Sequence, residues 1–270
     1  MSLRSIQRAL QLAAHITIGL CLIRFAFPRK TGQQQAEITR RWSEKLANIL
    51  NIQIVSSGLK PELTPKNQMC LANHISWFDI FALNAIFNSR FIAKADVAHW
   101  PVVGSLCKGA GTFFINREKI KDTKRINDSI TQSLKQGECI TFFPEGTTSN
   151  GVELKPLKTS LLQSIVESQG LIQPIYINYR KACGAHCQEA AYIDDISFGQ
   201  SLAALLKADG ISVHVHFLDA IHTDGQNRAQ LSAQVQTALH YAHQNFMRQL
   251  VDKRVLPQQQ MSADLPAATQ

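Results

Sequence analysis

Between Ile52 and Phe217, short apolar runs rich in β-branched and aromatic residues keep returning, separated by stretches with helical spacing. Few folds accept such an alternation. Strands are predicted at 52–56, 68–72, 90–93, 112–115, 139–143, 171–179 and 211–217, and helices at 77–87, 121–136, 158–168 and 226–250. Strands that alternate with helices in this way bury a sheet between helical layers. The fold class read from the chain is therefore α/β, a mixed β-sheet flanked by helices. In such folds functional side chains collect on loops leaving the carboxyl ends of strands. His74, Arg117 and Glu145 each follow the end of a predicted strand, so one rim can hold all three.

His74 and Asp79 stand within Asn73-His74-Ile75-Ser76-Trp77-Phe78-Asp79, across a turn into a helix. With the histidine on the loop and the aspartate in the first helical turn, the carboxylate can hold Nδ1–H and leave Nε2 to take a proton from an alcohol. Such a base needs no protein nucleophile when the substrate brings its own hydroxyl. A plainer reading uses the same residues. Ser76-x-x-Asp79 ahead of Ile80-Phe81-Ala82-Leu83 is also a capping box, with Ser76 as the N-cap and Asp79 reaching back to a free N–H.

The formal charge of +8 favours anionic partners, among them nucleic acid, acidic lipid surfaces and acidic carrier proteins. No recognisable nucleic-acid motif accompanies the charge, so nucleic acid is not the expected partner. A hydrophobic fraction of 45% in 270 residues is that of a globular protein with a sizeable core. The six cysteines are scattered among apolar runs, which predicts reduced thiols in a cytosolic compartment. Cys183, His186 and Cys187 form the one tight cluster, and it lacks a fourth ligand at zinc-site spacing, so no metal is expected.

Two further stretches follow the His74 block in order: Gly111-Thr112-Phe113-Phe114-Ile115-Asn116-Arg117 and Phe143-Pro144-Glu145-Gly146-Thr147-Thr148-Ser149. Together with Gln173-Pro174-Ile175 they resemble the four motif blocks of the glycerophospholipid acyltransferases, specifically the 1-acylglycerol-3-phosphate acyltransferase family, over residues 65 to 180. The resemblance implies an O-acyltransferase of phospholipid biosynthesis in which His74 is the base and Asp79 orients it. Arg117 would grip the acceptor's phosphate, for which its planar fork is suited. Glu145, with Gly146 and Thr147, would help bind the acceptor, Glu145 engaging a glycerol hydroxyl or orienting Arg117. Gly111 is placed with the substrate-binding residues, and Pro174 with the acyl donor. The implied acceptor is 1-acyl-sn-glycerol 3-phosphate, giving phosphatidic acid, with another lysolipid such as lyso-ornithine lipid as the alternative. The donor would be acyl-CoA or acyl-carrier protein as co-substrate, and no metal or redox cofactor is implied.

Each of these residues also has an ordinary use. Arg117 lies in a charged run with Glu118, Lys119, Lys121, Lys124 and Arg125 and can be a solvated side chain. Glu145 can cap a helix, and Gly111 allows close backbone approach on either reading. Thr147, Thr148 and Ser149 suit turns and caps. The Phe143–Thr147 stretch is not a phosphate-cradling P-loop, since it lacks the glycine-rich approach and the Gly-Lys-Ser/Thr ending. Pro174 inside a predicted strand suggests an edge or a strand start. Where the family has Phe-Lys-x-Gly beside the acyl chain, this chain has Leu157-Lys158-Thr159-Ser160, so the acyl pocket does not carry over. A His/Asp acyl-thioester hydrolase and a non-catalytic lipid-binding protein are the readings from other classes.

Residues 9–27 form the most apolar segment and as a helix would reach about 28 Å, barely a bilayer core. Arg4, Arg8, Gln11 and His15 fall on one helical face and leave the opposite face apolar. Basic residues flank both ends, with Arg29 and Lys30 at the far one, so charge gives no direction across a membrane. An interfacial or partly inserted helix with both ends on the cytoplasmic side fits these facts better than a span or a cleaved signal peptide. Ile38, Trp42, Leu46 and Ile49 make a second helical stripe, with Arg40, Arg41 and Lys45 off it. The organisation expected is membrane-associated helices at 1–50, an α/β domain at 51–254 and a disordered tail at 255–270. The expected location is the cytoplasmic face of a bacterial inner membrane, as a peripheral, monotopic or single-pass protein. Oligomeric state and acyl length are not legible.

Overall fold

The computed structural model describes residues 3–116, 120–193 and 196–263, with side chains described as far as Leu250. Its centre is a mixed sheet in the order β1-β7-β6-β2-β5-β3-β4. The strands are β1 Ile52–Gly58, β2 Gln68–Ala72, β3 Arg90–Lys94, β4 Phe113–Ile115, β5 Cys139–Phe142, β6 Leu171–Arg180 and β7 Ile211–Phe217. A short β8, Ile221–His222, pairs with β6. Neighbours run parallel except at β6, which is antiparallel to β7 and β8.

Helices cover both faces, as the alternation requires. The helices are α1 Leu3–Cys21, α2 Gly32–Leu50, α3 Asp79–Asn84, α4 Val103–Gly109, α5 Ile120–Lys135, α6 Leu162–Ser168, α7 Phe198–Lys207 and α8 Arg228–Ala263. One core joins Leu46 and Leu50 of α2, Ala82 and Leu83 of α3 and Leu205 and Leu206 of α7 to the strand residues Cys70, Ile175, Ile177 and Tyr179. The other joins Ile126, Ile130 and Leu134 of α5, Ile165 of α6 and Leu231, Val235 and Phe246 of α8 to Met69, Leu71, Ile172 and Tyr176. Successive strand residues thus serve opposite cores, which is the period-2 pattern of a sheet buried on both sides.

Several local readings are revised. α3 is shorter than the predicted 77–87, and α6 begins at Leu162 rather than 158. α8 runs on to Ala263 and takes in the first part of the stretch expected to be a disordered tail, where Gln, Met and Ala favour helix; residues 264–270 lie outside the described residues. Pro174 is neither at an edge nor at a strand start: it is buried within β6, between β2 and the antiparallel partners. The reason is a change of partner on that side. β7 pairs with Ile175 onward and β8 with Leu171 and Ile172, so the missing N–H faces the gap between them. There the Leu218 N–H donates to the Pro174 carbonyl at 3.0 Å, and the Gln173 side chain bridges Pro174 and Leu218 carbonyls.

α1 turns Arg8, Leu12 and His15 toward the protein, while Arg4 and Gln11 of its polar stripe stay exposed and part of its apolar surface faces out. Arg8 donates to the Leu206 and Ala208 carbonyls and pairs with Asp209 at 3.0 Å. His15 and Trp42 of α2 stack with centroids 4.4 Å apart and hydrogen bond reciprocally, each ring N–H to the other's carbonyl. Gly19 makes room for this contact, since a Cβ there would stand 2.8 Å from Trp42 Nε1. Leu3 (83% exposed), Ile6, Leu10 (69%), Ile18 and Phe25 (60%) are left on the outside. With the irregular turns that follow α1, the helical stretch Leu3–Arg29 is long and apolar enough to cross a membrane.

Candidate active site

β2 ends at Ala72, and the chain leaves the sheet through Asn73. The buried Asn73 side chain replaces one more rung of the ladder: Nδ2 donates to the Ile177 carbonyl at 2.9 Å and Oδ1 accepts from the Ile177 N–H at 2.7 Å. The loop therefore starts from a fixed point. His74 comes next, its side chain 17% exposed, with Nδ1 2.8 Å from Asp79 Oδ2. Among the described residues no hydrogen bond is made to Nε2.

Asp79 is 0% exposed and opens α3. The same Oδ2 accepts the N–H groups of Ile75 at 2.8 Å and Ser76 at 3.0 Å, and Oδ1 accepts the Tyr179 hydroxyl at 2.6 Å. The base reading of Asp79 fits this geometry and the capping box is only half formed: Asp79 reaches back to the Ser76 N–H, but the N-cap of α3 is Phe78, with no side-chain cap, rather than Ser76. One oxygen reaches back to the helix entrance, as a capping carboxylate does, and also holds the imidazole. The backbone donors fix which oxygen faces His74, and the imidazole tautomer follows with Nδ1–H toward Asp79.

The Phe143–Ser149 block clasps His74 on three sides. The Phe143 ring stacks on the imidazole with centroids 3.8 Å apart and 9° between planes. Glu145 Oε1 accepts the His74 N–H at 3.0 Å, and its Oε2 accepts the Lys155 N–H at 3.1 Å. Ser149 N–H donates to the His74 carbonyl at 2.7 Å, reinforced by its hydroxyl. Glu145 is buried, and burial pushes its carboxyl above the ordinary range, an effect its two backbone donors oppose. Both oxygens are thus engaged with backbone, one tying down the His74 loop and the other the Lys155 stretch, a use the sequence does not suggest. Gly146 turns the chain at φ +76° and Thr147 is exposed beside it.

The remaining sequence candidates lie in different places. Gly111 takes φ +74°, and what approaches its backbone is Arg90, whose Nε donates to the Gly111 carbonyl at 2.7 Å while its guanidinium also meets Ser133 and Glu138. Arg117 lies outside the described residues. Pro174, buried in the sheet, is paired with Leu71 three residues before His74. Asn73, Phe143, Ser149 and Tyr179 also belong to this arrangement, although the motif reading does not assign them to the site. Tyr179 carried a readable signal, since its hydroxyl interrupts the apolar face Ile175, Ile177 of a strand and a buried hydroxyl needs a partner.

The arrangement is a buried carboxylate, an oriented imidazole and a free Nε2 at the carboxyl end of the sheet, which is the equipment of a general base. Comparison with known proteins agrees with the resemblance read from the motifs. Residues 54–178 match the family model described as Acyltransferase. A lyso-ornithine lipid O-acyltransferase of Pseudomonas aeruginosa is 33% identical over 246 residues, 89% of this chain and 93% of that protein. A 1-acyl-sn-glycerol-3-phosphate acyltransferase of Neisseria meningitidis is 34% identical over 154 residues, 57% of this chain and 60% of that protein. The solved 1-acyl-sn-glycerophosphate acyltransferase of Thermotoga maritima superposes with a TM-score of 0.63 at 17% identity, covering 91% of this chain and 98% of that one, which establishes a shared fold. The α/β architecture, the motif blocks and a relative matched along nearly its whole length lead to one assignment: the chain belongs to the acyltransferase family.

Proposed function

We propose that this protein transfers a fatty acyl group from a thioester, acyl-CoA or an acyl-carrier protein, to a free hydroxyl of a lysolipid at the cytoplasmic face of a membrane. The observation that carries this reading is the His74 and Asp79 pair, 2.8 Å apart with Nε2 left open. Nε2 takes the proton of the acceptor hydroxyl as its oxygen attacks the thioester carbonyl. The tetrahedral intermediate then collapses, the C–S bond breaks, and the leaving thiolate takes the proton from the imidazolium. Asp79 stabilises that imidazolium throughout, and no other protein group needs to change its covalent state.

Two acceptors each have an observation behind them. Lyso-ornithine lipid is supported by the Pseudomonas relative, whose likeness covers 89% of this chain and so extends beyond the motif blocks. The reading from the motifs, 1-acyl-sn-glycerol 3-phosphate with phosphatidic acid as product, is supported by the Neisseria relative over the segment it shares and by the chain's positive charge. On that second reading Arg117 grips the phosphate. The outward apolar face of α1, with Arg4, Arg24, Arg29 and Lys30 at its ends, supports attachment to an anionic membrane surface.

The test gives the purified protein one labelled thioester and a panel of acceptors: 1-acyl-sn-glycerol 3-phosphate, monoacylglycerol and lyso-ornithine lipid. Wild type is expected to acylate at least one phosphorylated or ornithine-bearing acceptor well above monoacylglycerol. His74→Ala should lose at least about 100-fold in turnover while still binding vesicles. A folded His74→Ala protein with near-normal turnover removes the mechanism, and fast thiol release by wild type without any acceptor makes the protein a hydrolase instead.

A further inference from the structure

Behind the His74 and Asp79 pair lies a second buried group that the family motifs do not include. Tyr179, on β6, is 0% exposed, and its hydroxyl donates to Asp79 Oδ1 at 2.6 Å, on the side of the carboxylate away from His74. Ser76, also 0% exposed, sets its hydroxyl near the Tyr179 phenol and eases its upward shift, and the Phe78 N–H reaches Ser76 Oγ at 3.4 Å. Asp79 thus accepts at both ends, from Tyr179 at Oδ1 and from His74 at Oδ2. Burial and the neighbouring Asp79 charge push the Tyr179 phenol well above its usual range, so it keeps its proton and remains a donor.

We propose that Tyr179 is a positioning residue for the acyl-transfer base: it pins Oδ1 of Asp79, so that Oδ2 stays aimed at His74 Nδ1 and the carboxylate charge is shared between two hydrogen-bonded ends. The proposal rests on the reading of His74 as the base. A carboxylate held only at Oδ2 can swing about its Cβ–Cγ bond. With Oδ1 tied to a strand of the sheet and Oδ2 tied to two backbone N–H groups, rotation is blocked at both ends. Among the described residues, the titratable and charged groups around these contacts are His74 and Asp79 themselves, Glu145 with Lys155 beyond it at the His74 backbone, and the Cys187 thiol beside Tyr179. Burial raises that thiol to about 11, so it adds no charge at neutral pH.

Tyr179→Phe keeps the ring and removes the donor. With Oδ1 unpartnered, charge returns to the oxygen facing His74 and favours the imidazolium, so the acid limb of the kcat/KM profile should move to higher pH by about half a unit or more. The freed carboxylate also loses alignment, so kcat should fall about tenfold with the acceptor KM within about threefold. Ser76→Ala, which leaves both side chains of the pair in place, should move the limb the same way by less and serves if the phenylalanine variant does not fold. His74→Ala is measured alongside. If it is inactive while the acid limb stays in place in the folded Tyr179 or Ser76 variant, the assignment of Tyr179 is overturned and the base stands. If it keeps its activity, the base falls and the proposal falls with it.

Discussion

Asp79→Asn separates two ways in which an aspartate can serve a histidine base, and the surroundings of Asp79 decide which applies. In a serine-protease triad the same change costs about 10⁴-fold because the amide presents the wrong group and the imidazole takes the wrong tautomer. Here Oδ2 also accepts the N–H groups of Ile75 and Ser76. An amide N–H₂ facing those two donors would leave both unsatisfied in a dry site, at about 1 to 3 kcal/mol each. The amide oxygen is therefore forced to face them, and with them His74 Nδ1–H. The amide nitrogen then meets the Tyr179 oxygen, which can accept once its own proton turns toward Ser76. The tautomer survives and only the charge is lost. A hydrogen bond to a charged partner is worth about 1.5 to 3 kcal/mol, so kcat/KM should fall about 10- to 150-fold. The acid limb of the pH profile should move to lower pH, because the imidazolium has lost its counter-charge. Steady-state acyl transfer across pH 5 to 9 measures both. A loss near 10⁴-fold in a folded Asp79→Asn protein would refute the argument, by showing that the backbone donors do not set the orientation.

Leu10→Glu should leave thermal stability within about 0.5 kcal/mol, since Leu10 is exposed. It should weaken binding to anionic vesicles by about tenfold or more in a sedimentation assay, the scale of one apolar side chain kept out of the bilayer. Glu145→Gln should change the pH dependence of stability. The carboxyl is raised by burial, so its contribution is full below the ordinary glutamate range and is lost as pH rises through the raised value. The melting temperature of Glu145→Gln relative to wild type should therefore climb from acid to neutral pH, and a difference that is flat or falls over that range would contradict it.

The seven predicted strands are all present because each is announced by a run of β-branched or aromatic residues with punctuation on either side. What went unread obeys weaker signals. α7 follows a complete capping box, Ser197 with Gln200, but its apolar stripe Phe198, Leu202, Leu205, Leu206 is short. α4 and β8 are too brief for any period to show. Pro174 departs from the edge or strand-start expectation because strand rules treat each strand's side as having one partner, whereas β6 changes partner at that residue. In the site, His74 and Asp79 were legible as local spacing. The Glu145 and Tyr179 contacts were not, since they join residues 71 and 100 positions apart and exist only because β2 lies between β5 and β6.

That strand order bears on how His74 is joined to the outward apolar face of α1. Placing β2 between β5 and β6 brings the Phe143–Ser149 loop to His74 and Tyr179 to Asp79, so the pair is held by groups from three strands. α3, which carries Asp79, packs on α2, and α2 is locked to α1 through the His15 and Trp42 pair. Aromatic contacts continue the same line, from Trp42 to Phe81 to Trp77 to Phe198 to Trp100. At its far end Trp100 and Val102 are themselves partly exposed. α4, just beyond them, packs on the turn after α1, with Gly109 close against Ile23. The helix that carries the outward apolar face and the helix that carries Asp79 are therefore joined through packed side chains. A lysolipid acceptor pays a high free-energy cost to leave the bilayer, at about 0.8 kcal/mol for each methylene exposed to water. An enzyme that kept its base on a flexible arm would have to draw the acceptor out against that cost. On the proposed function, a base fixed to the helix that carries the outward apolar face needs only to meet the hydroxyl where the bilayer already holds it.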